Sequence, residues 1–238
     1  ALVVTDPEGY AVYEGPAAGD TIEIEGIQPW SHAAPVLYHA VLTLRDADGV
    51  LQEVVPYDIG FRRFEMINGV MCLNGERVVF NGVNRHEWNA DRGRAIGADD
   101  MHAAMAVFKK NNINAVRTCH YPDQSLWYDL CDRNGIYMID ETNLESHGSW
   151  QKLGAVEPSW NVPGSLPEWK DCVVDRARSM FERDKNHAAV LIWSCGNESY
   201  AGEDILAMSQ FFHDHDPGRL VHYEGVFHCR AFDSISDM

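Results

Sequence analysis

Every position of Ala189-Val190-Leu191-Ile192-Trp193 is apolar, and the next six residues, Ser194-Cys195-Gly196-Asn197-Glu198-Ser199, turn abruptly small and polar. A strand with one solvated face alternates, whereas one that is apolar on both faces suits a parallel sheet covered by helices. The chain must then supply helices between its strands, which points to the α/β class. In that class chemistry collects where strands emerge at their carboxyl ends, and this strand emerges into Gly196-Asn197-Glu198. A buried strand followed by an ordinary polar turn would read the same way locally, so the remaining strands decide.

From residue 66 onward, strands and helices alternate. An Asn74-Gly75 turn closes a small hairpin and leads to a strand at 78–83. Asp99 can cap a helix whose apolar face is Met101, Met105 and Phe108, with Ala104 beside them, ending near Asn111-Asn112. A strand at 113–118 follows, then a helix from Asp123 with Leu126, Trp127, Leu130 and Cys131 inward and Asn134-Gly135 as its stop, then a strand at 136–139. Residues 145–165, with Gly148, Gly154, Pro158, Pro163 and Gly164, form a long irregular stretch of the kind that is usually functional. Pro167 opens a helix with Trp169, Cys172, Val173, Ala177, Met180 and Phe181 on one side. A helix through Ile205, Leu206 and Phe212 ends before Asp216-Pro217-Gly218, and 220–223 is the fifth strand.

Parallel strands with crossover helices leave a doubly wound sheet or a (β/α)8 TIM barrel. No Gly-x-Gly-x-x-Gly follows the first strand and no P-loop is present, so the barrel is expected. Five strands cannot close a barrel of eight, so residues 67–238 read as the N-terminal part of a TIM-barrel catalytic domain. Residues 1–66 read as β structure: 21–25 and 37–44 alternate, and Asp46-Ala47-Asp48-Gly49 turns into 50–57. They are too few for a whole immunoglobulin-like β-sandwich and are expected to be its later strands.

Thirty-six acidic residues against nineteen basic give a formal charge of −17, which argues against nucleic acid and anionic membrane as partners. No run of 18 apolar residues and no basic leader occurs, so a cytoplasmic location is expected unless a signal was removed upstream of residue 1. Six cysteines without a Cys-x-x-Cys pair read as reduced core residues. Eleven His and seven Trp suit acid/base chemistry and stacking on sugar rings.

If the barrel reading holds, the residues after each strand share one rim. These are Asn84-Arg85-His86-Glu87-Trp88, then Arg117 with His120-Tyr121-Pro122, then Asp140-Glu141 with Asn143-Leu144-Glu145-Ser146-His147-Gly148, then Asn197-Glu198, and finally Tyr223-Glu224. Every strand end offers ionisable or hydrogen-bonding groups. Glu198 beside Asn197 has the chemistry of a general acid, and glycoside hydrolysis requires two such carboxylates. Glu145 and His147 offer one oxygen and one imidazole ligand that could join Glu198 around Mg²⁺ or Mn²⁺, although Glu-x-His alone is weak evidence and is more often a solvated loop. A metal-dependent hydrolase using Glu145 and His147 around an activating ion is a third reading with little support, because the sequence shows no three imidazole or carboxylate ligands at zinc-type spacing.

Val83-Asn84-Arg85-His86-Glu87, Arg117-Thr118-Cys119-His120-Tyr121-Pro122, Asp140-Glu141-Thr142-Asn143-Leu144-Glu145-Ser146-His147-Gly148, and the stretch from Asn186-His187 to Glu198-Ser199 resemble glycoside hydrolase family two. Among its members, the resemblance is to the large bacterial β-galactosidases, and it runs along essentially the whole chain. It implies a retaining β-galactosidase in the full-length protein, with Glu198 as general acid/base and Asn197 on the sugar 2-hydroxyl. Glu145, His147 and Glu198 would hold Mg²⁺, His86 and His120 would line the galactose subsite, and Arg117 would orient carboxylates at the rim. The Asn-Leu-Glu-Ser-His-Gly run favours β-galactosidase over β-glucuronidase. Thr118-Cys119 and Ser146 depart from the pattern without removing a ligand. The resemblance places the nucleophilic glutamate on the seventh strand, beyond residue 238, and Glu224 is not its counterpart. The implied partners are a β-galactoside and the remaining barrel and domains, with a homo-oligomer open. A non-catalytic complementing piece is the competing reading.

Overall fold

The computed structural model describes residues 1–17, 21–152, 155–156 and 161–238. Four antiparallel strands open the chain: β1 (Leu2–Thr5), β2 (Ala11–Gly15), β3 (Tyr38–Arg45) and β4 (Leu51–Ile59), in the order β2-β1-β3-β4. Val4, Tyr38 and Ala40 form their buried cluster, and Phe61 meets Tyr38 edge-on at 5.2 Å. The strand expected at 21–25 is absent. Ile24 and Ile27 pack against that cluster while their backbone stays irregular, so the alternation there records burial rather than pairing.

A small three-stranded sheet follows: β5 (Phe64–Ile67), β6 (Val70–Leu73) and β7 (Glu76–Arg77). Its turn carries Asn74 and Gly75 at positive φ, as the Asn-Gly pair requires. The next element is the parallel sheet. It contains β8 (Gly82–Arg85), β9 (Ala115–Thr118) and β10 (Tyr137–Glu141), then, after the short antiparallel pair β11 (Gln151–Lys152) and β12 (Ala155–Val156), β13 (Val190–Ser194) and β14 (Leu220–His222). The order is β14-β13-β10-β9-β8, every pair is parallel, and neighbours follow chain order as in a barrel. The helices between them are α1 (Ala98–Lys110), α2 (Ser125–Asn134), the single turn α3 (His147–Trp150), α4 (Pro167–Asp184) and α5 (Glu203–His215). All five residues of β13 are buried, and Trp193 stacks on Phe212 of α5 at 5.5 Å.

Several boundaries differ from expectation for identifiable reasons. The first barrel strand begins at Gly82 rather than 78, because the Asn114 side chain takes the place of a partner strand. Its Nδ2 donates to Val79 O at 2.9 Å and its Oδ1 accepts from Asn81 N–H at 2.7 Å. The cap of α1 is Gly97, whose N–H donates to the carboxylate of Asp100 at 2.9 Å, so Asp99 lies inside the first turn. Trp169 and Cys172 lie on the solvent side of α4, whose buried face is Val173, Ala177, Met180 and Phe181, and Cys172 is therefore no core residue. The loop expected over 145–165 holds α3, β11 and β12; Gly154 and Pro158 of that expectation lie outside the described residues.

The N-terminal sheet is anchored to the base of the barrel by residues 30–32 and 60–62. Trp30 is fully buried, its Nε1–H donates to Asp132 O at 2.8 Å, and it meets Tyr137 edge-on. Arg62 donates from Nε to Ala188 O and from Nη2 to Val190 O, both at 2.7 Å. A β-carbon at Gly60 would sit 2.5 Å from Ala188 Cβ, so the approach depends on glycine. The concave face of the sheet holds a cavity of about 230 Å³ lined by Val83, Ala115, Arg117, Ile139 and Ile192. Among the described residues no strand pairs with the outer edge of β8 or β14, and no helix is long and apolar enough to cross a membrane. Trp30→Ala in the full-length protein should cost about 3–5 kcal/mol, read as a lower denaturation midpoint in urea; an unchanged midpoint would show that the anchor contributes nothing.

Candidate active site

The carboxyl ends of the five parallel strands converge on one rim. At its floor lies Glu141, the last residue of β10 and fully buried. A buried carboxylate must be paired. Here Oε2 accepts from Arg117 Nε at 2.6 Å and from Ser194 Oγ at 2.8 Å, while Oε1 lies 2.7 Å from His120 Nδ1. From the sequence Glu141 reads only as one polar strand end. The signal for its role is a pair of acidic residues, Asp140-Glu141, closing an apolar buried strand.

Arg117 carries the arrangement to the next strand: its Nη2 donates to Asn197 Oδ1 at 2.9 Å. One N–H of the Asn197 amide donates to Glu145 Oε1 at 3.2 Å, and the two residues also form a parallel bridge. Asn197 is thus locked in rotation with one amide N–H left to donate. Beside it, Gly196 has a φ of 137°, and a β-carbon there would lie 2.6 Å from Leu144 O; this close approach brings the Glu145 loop against the end of β13.

Glu198 lies just beyond β13 at a φ of 45°, a left-handed conformation seldom adopted by a residue with a side chain. Three groups hold it there or close by. Its backbone N–H donates to Glu224 Oε1 at 2.5 Å, its carbonyl accepts from Trp150 Nε1 at 2.6 Å, and the hydroxyl of Tyr223 donates to the carbonyl of Ser199. Its side chain is about half exposed at 46%, with Oε2 at 2.8 Å from His147 Nδ1. The His147 ring stacks on Trp150 at 5.0 Å. Glu224 and Trp150 as supports of Glu198 were missed in the sequence. Glu224 sat at a strand end with no partner visible, and Trp150 lay in a loop with no periodicity.

Two donor clusters border the rim. Glu145, His147 and Glu198 bring one ligand atom each within 4.8 Å of one another. Two carboxylates and one imidazole suit a hard divalent ion such as Mg²⁺ that keeps waters in its remaining positions. His86 and His120, just beyond the ends of the neighbouring strands β8 and β9, meet edge-on with ring centroids 5.3 Å apart, and the buried Cys119 lies close to both. All seven residues selected from the sequence, His86, Arg117, His120, Glu145, His147, Asn197 and Glu198, lie at this end of the sheet, and hydrogen bonds or ring contacts link each to another member or to Glu141.

Burial depresses the pKa of two histidines: His86, and more strongly His222 at the end of β14, which falls to about 4. Burial dominates at His222 and the Arg117 charge adds to it; its Nδ1 has no partner among the described residues. Burial also pushes the Glu224 carboxyl upward.

Two family models together match nearly the whole chain. Residues 64–238 match the model described as "Glycosyl hydrolases family 2, TIM barrel domain", and residues 3–62 match "Glycosyl hydrolases family 2". The chain is 63% identical over 209 residues to a beta-galactosidase of Halalkalibacterium halodurans, covering 88% of this chain and 21% of that protein. It is 56% identical to a beta-galactosidase of Streptococcus thermophilus, covering 99% and 24%, and 53% identical to a beta-galactosidase large subunit of Lactobacillus acidophilus, covering 100% and 39%. The chain therefore spans between about a fifth and two fifths of these relatives' length. Among solved structures, the β-glucuronidase of Ruminococcus gnavus superposes with a TM-score of 0.82 at 24% identity, covering 92% of this chain and 38% of that one. That of Dictyoglomus thermophilum superposes with 0.81 at 23%, again covering 92% and 38%. At those identities the likeness is one of fold.

The depressed pKa of His222 has a stability consequence with a definite sign. The unfolded chain takes up this proton near pH 6.5 and the folded chain only near 4, so in that interval the unfolded state binds more protons and stability rises with pH. Acidification from 6.5 towards 4 should remove on the order of 3 kcal/mol. His222→Asn should flatten that part of the melting-temperature profile of the full-length protein, and a profile of unchanged slope would contradict it.

Proposed function

This chain belongs to family 2 of the glycosyl hydrolases, and from that premise we propose that the protein it forms part of is a retaining β-galactosidase hydrolysing terminal β-D-galactosides. The observation that carries the reading is the placement of Glu198. It stands at the mouth of the barrel beside an Asn197 that Arg117 and Glu145 hold, in a chain 53–63% identical to beta-galactosidases.

In this reading Glu198 is the general acid/base. Its carboxyl gives a proton to the glycosidic oxygen as the aglycone leaves, and the resulting carboxylate later takes a proton from the water that attacks the glycosyl-enzyme. The left-handed backbone matters here, because it turns the side chain out over the rim while the Glu224 and Trp150 contacts fix its origin. The remaining N–H of Asn197 donates to the sugar 2-hydroxyl. His120, with Nδ1 on Glu141, presents Nε2 to the galactose ring, and His86 faces it from the neighbouring strand. Arg117 holds Glu141 and Asn197 in place at the rim. The nucleophilic carboxylate comes from a later strand of the full-length protein.

Glu145, His147 and Glu198 would hold Mg²⁺, and their converging donors support that assignment. A divalent cation bound there supplies positive charge that orders the acid/base carboxylate and the waters around it. The rest of the barrel, pairing with the open edges of β8 and β14, is the structural partner. The free state of all six cysteines supports a reducing, cytoplasmic location.

A general-acid role has a leaving-group signature. In the full-length protein, Glu198→Gln should slow lactose hydrolysis by about 10²–10⁴-fold. It should slow release of nitrophenolate from a nitrophenyl galactoside far less at the glycosylation step, because that group departs without protonation. Equal losses on both substrates would count against the assignment. EDTA should lower kcat/KM and Mg²⁺ restore it, and His147→Ala should raise the Mg²⁺ concentration for half-restoration by about tenfold or more; insensitivity to EDTA after exhaustive dialysis would remove the ion.

A further inference from the structure

The second donor cluster at the rim differs in chemistry from the first. Cys119 contributes a sulfur, His86 and His120 contribute imidazole nitrogens, and one ligand atom from each lies within 4.8 Å of the others. Neither histidine hangs freely. The Nδ1 of His120 is taken by the buried Glu141 carboxylate at 2.7 Å, which leaves Nε2 as its ligand atom. The Nδ1 of His86 faces the Tyr121 hydroxyl at 3.4 Å. A carboxylate on the far nitrogen is the arrangement that fixes ring orientation and tautomer in metal-ligating histidines.

We propose that Cys119, His86 and His120 form a binding site for a thiophilic divalent ion, with Zn²⁺ as the fitting species, separate from the oxygen-rich cluster of Glu145, His147 and Glu198. Softness of the donors sets the selectivity. Thiolate and imidazole favour Zn²⁺ and disfavour Mg²⁺, whereas two carboxylates and one imidazole do the opposite. Three protein ligands leave the fourth tetrahedral position to water. Around such an ion the ligand atoms stand about 3.3–3.6 Å apart, given zinc–nitrogen and zinc–sulfur lengths near 2.0 and 2.3 Å. The donors, all within 4.8 Å of one another, close on the ion by no more than an ångström or so, and His86 is the exposed member of the three. On binding, the Cys119 S–H bond breaks, its electron pair forms the metal–sulfur bond, and one proton passes to solvent.

One consequence rests on the galactose-subsite reading. The histidine nitrogens that would meet the sugar are the ones the ion takes, so Zn²⁺ and galactose compete and zinc is inhibitory.

The test uses the full-length protein with Mg²⁺ held in excess and Co²⁺ as a spectroscopic stand-in for Zn²⁺. Co²⁺ should give intense tetrahedral visible bands and a thiolate-to-cobalt charge-transfer band, release one proton per ion bound, and be displaced by Zn²⁺. Cys119→Ser, with Cys119→Ala as a second variant, should abolish the charge-transfer band while circular dichroism stays unchanged, and His86→Ala should weaken binding by tenfold or more. A charge-transfer band that persists in both Cys119 variants, or binding unaffected by His86→Ala, would overturn the site. The spectrum is independent of turnover. A full cobalt signature that galactose fails to displace would uphold the metal site and count against the sugar-subsite reading alone.

Discussion

The organisation of the rim depends on one buried charge. Glu141 has no access to solvent, and a carboxylate placed there without partners would cost several kcal/mol or take up a proton. Its three partners come from different segments: Arg117 from β9, Ser194 from β13, and His120 from the loop after β9. Pairing the charge therefore brings three strand ends into one register. Arg117 then extends the order outward to Asn197, and Asn197 to Glu145. His120, Asn197 and Glu145 are thus the outer layer of a network whose centre is one buried carboxylate.

Glu198 is stabilised differently. Its side chain is half exposed, so burial cannot hold it. Rigidity comes from the backbone, where a left-handed turn is kept by an acceptor on its N–H and an indole donor on its carbonyl. Strain of this kind persists only where surrounding structure over-determines it. For the acid/base role proposed for Glu198 that division is an advantage, since the carboxylate head stays open to water while its root is fixed.

Much of this was legible in the residues. The uninterrupted apolar run at 189–193 gave the buried parallel strand, and the alternation around it gave the order of the sheet. The residue types at the strand ends identified the rim. Less legible were the features made by single side chains acting across the chain. Asn114 replaces a strand partner for residues 79–81, so the first barrel strand begins later than its apolar pattern suggests. Ile24 alternates with polar neighbours because it caps a small core, not because a strand lies beside it. Glu224 and Trp150 act on the backbone of a residue 26 and 48 positions away in sequence, and no local spacing encodes such contacts.

The anchor at the base of the barrel also sets an order of events during synthesis. Arg62 belongs to the segment that leaves the ribosome early, yet its two acceptors lie 126 and 128 residues downstream at the start of β13. Until that strand emerges, the guanidinium has no native carbonyl to meet, and closing so long a loop is slow. The N-terminal sheet thus presents a donor pair that fits only when β13 lies in its native position, so the register of the fourth strand is tied to a domain far upstream of it.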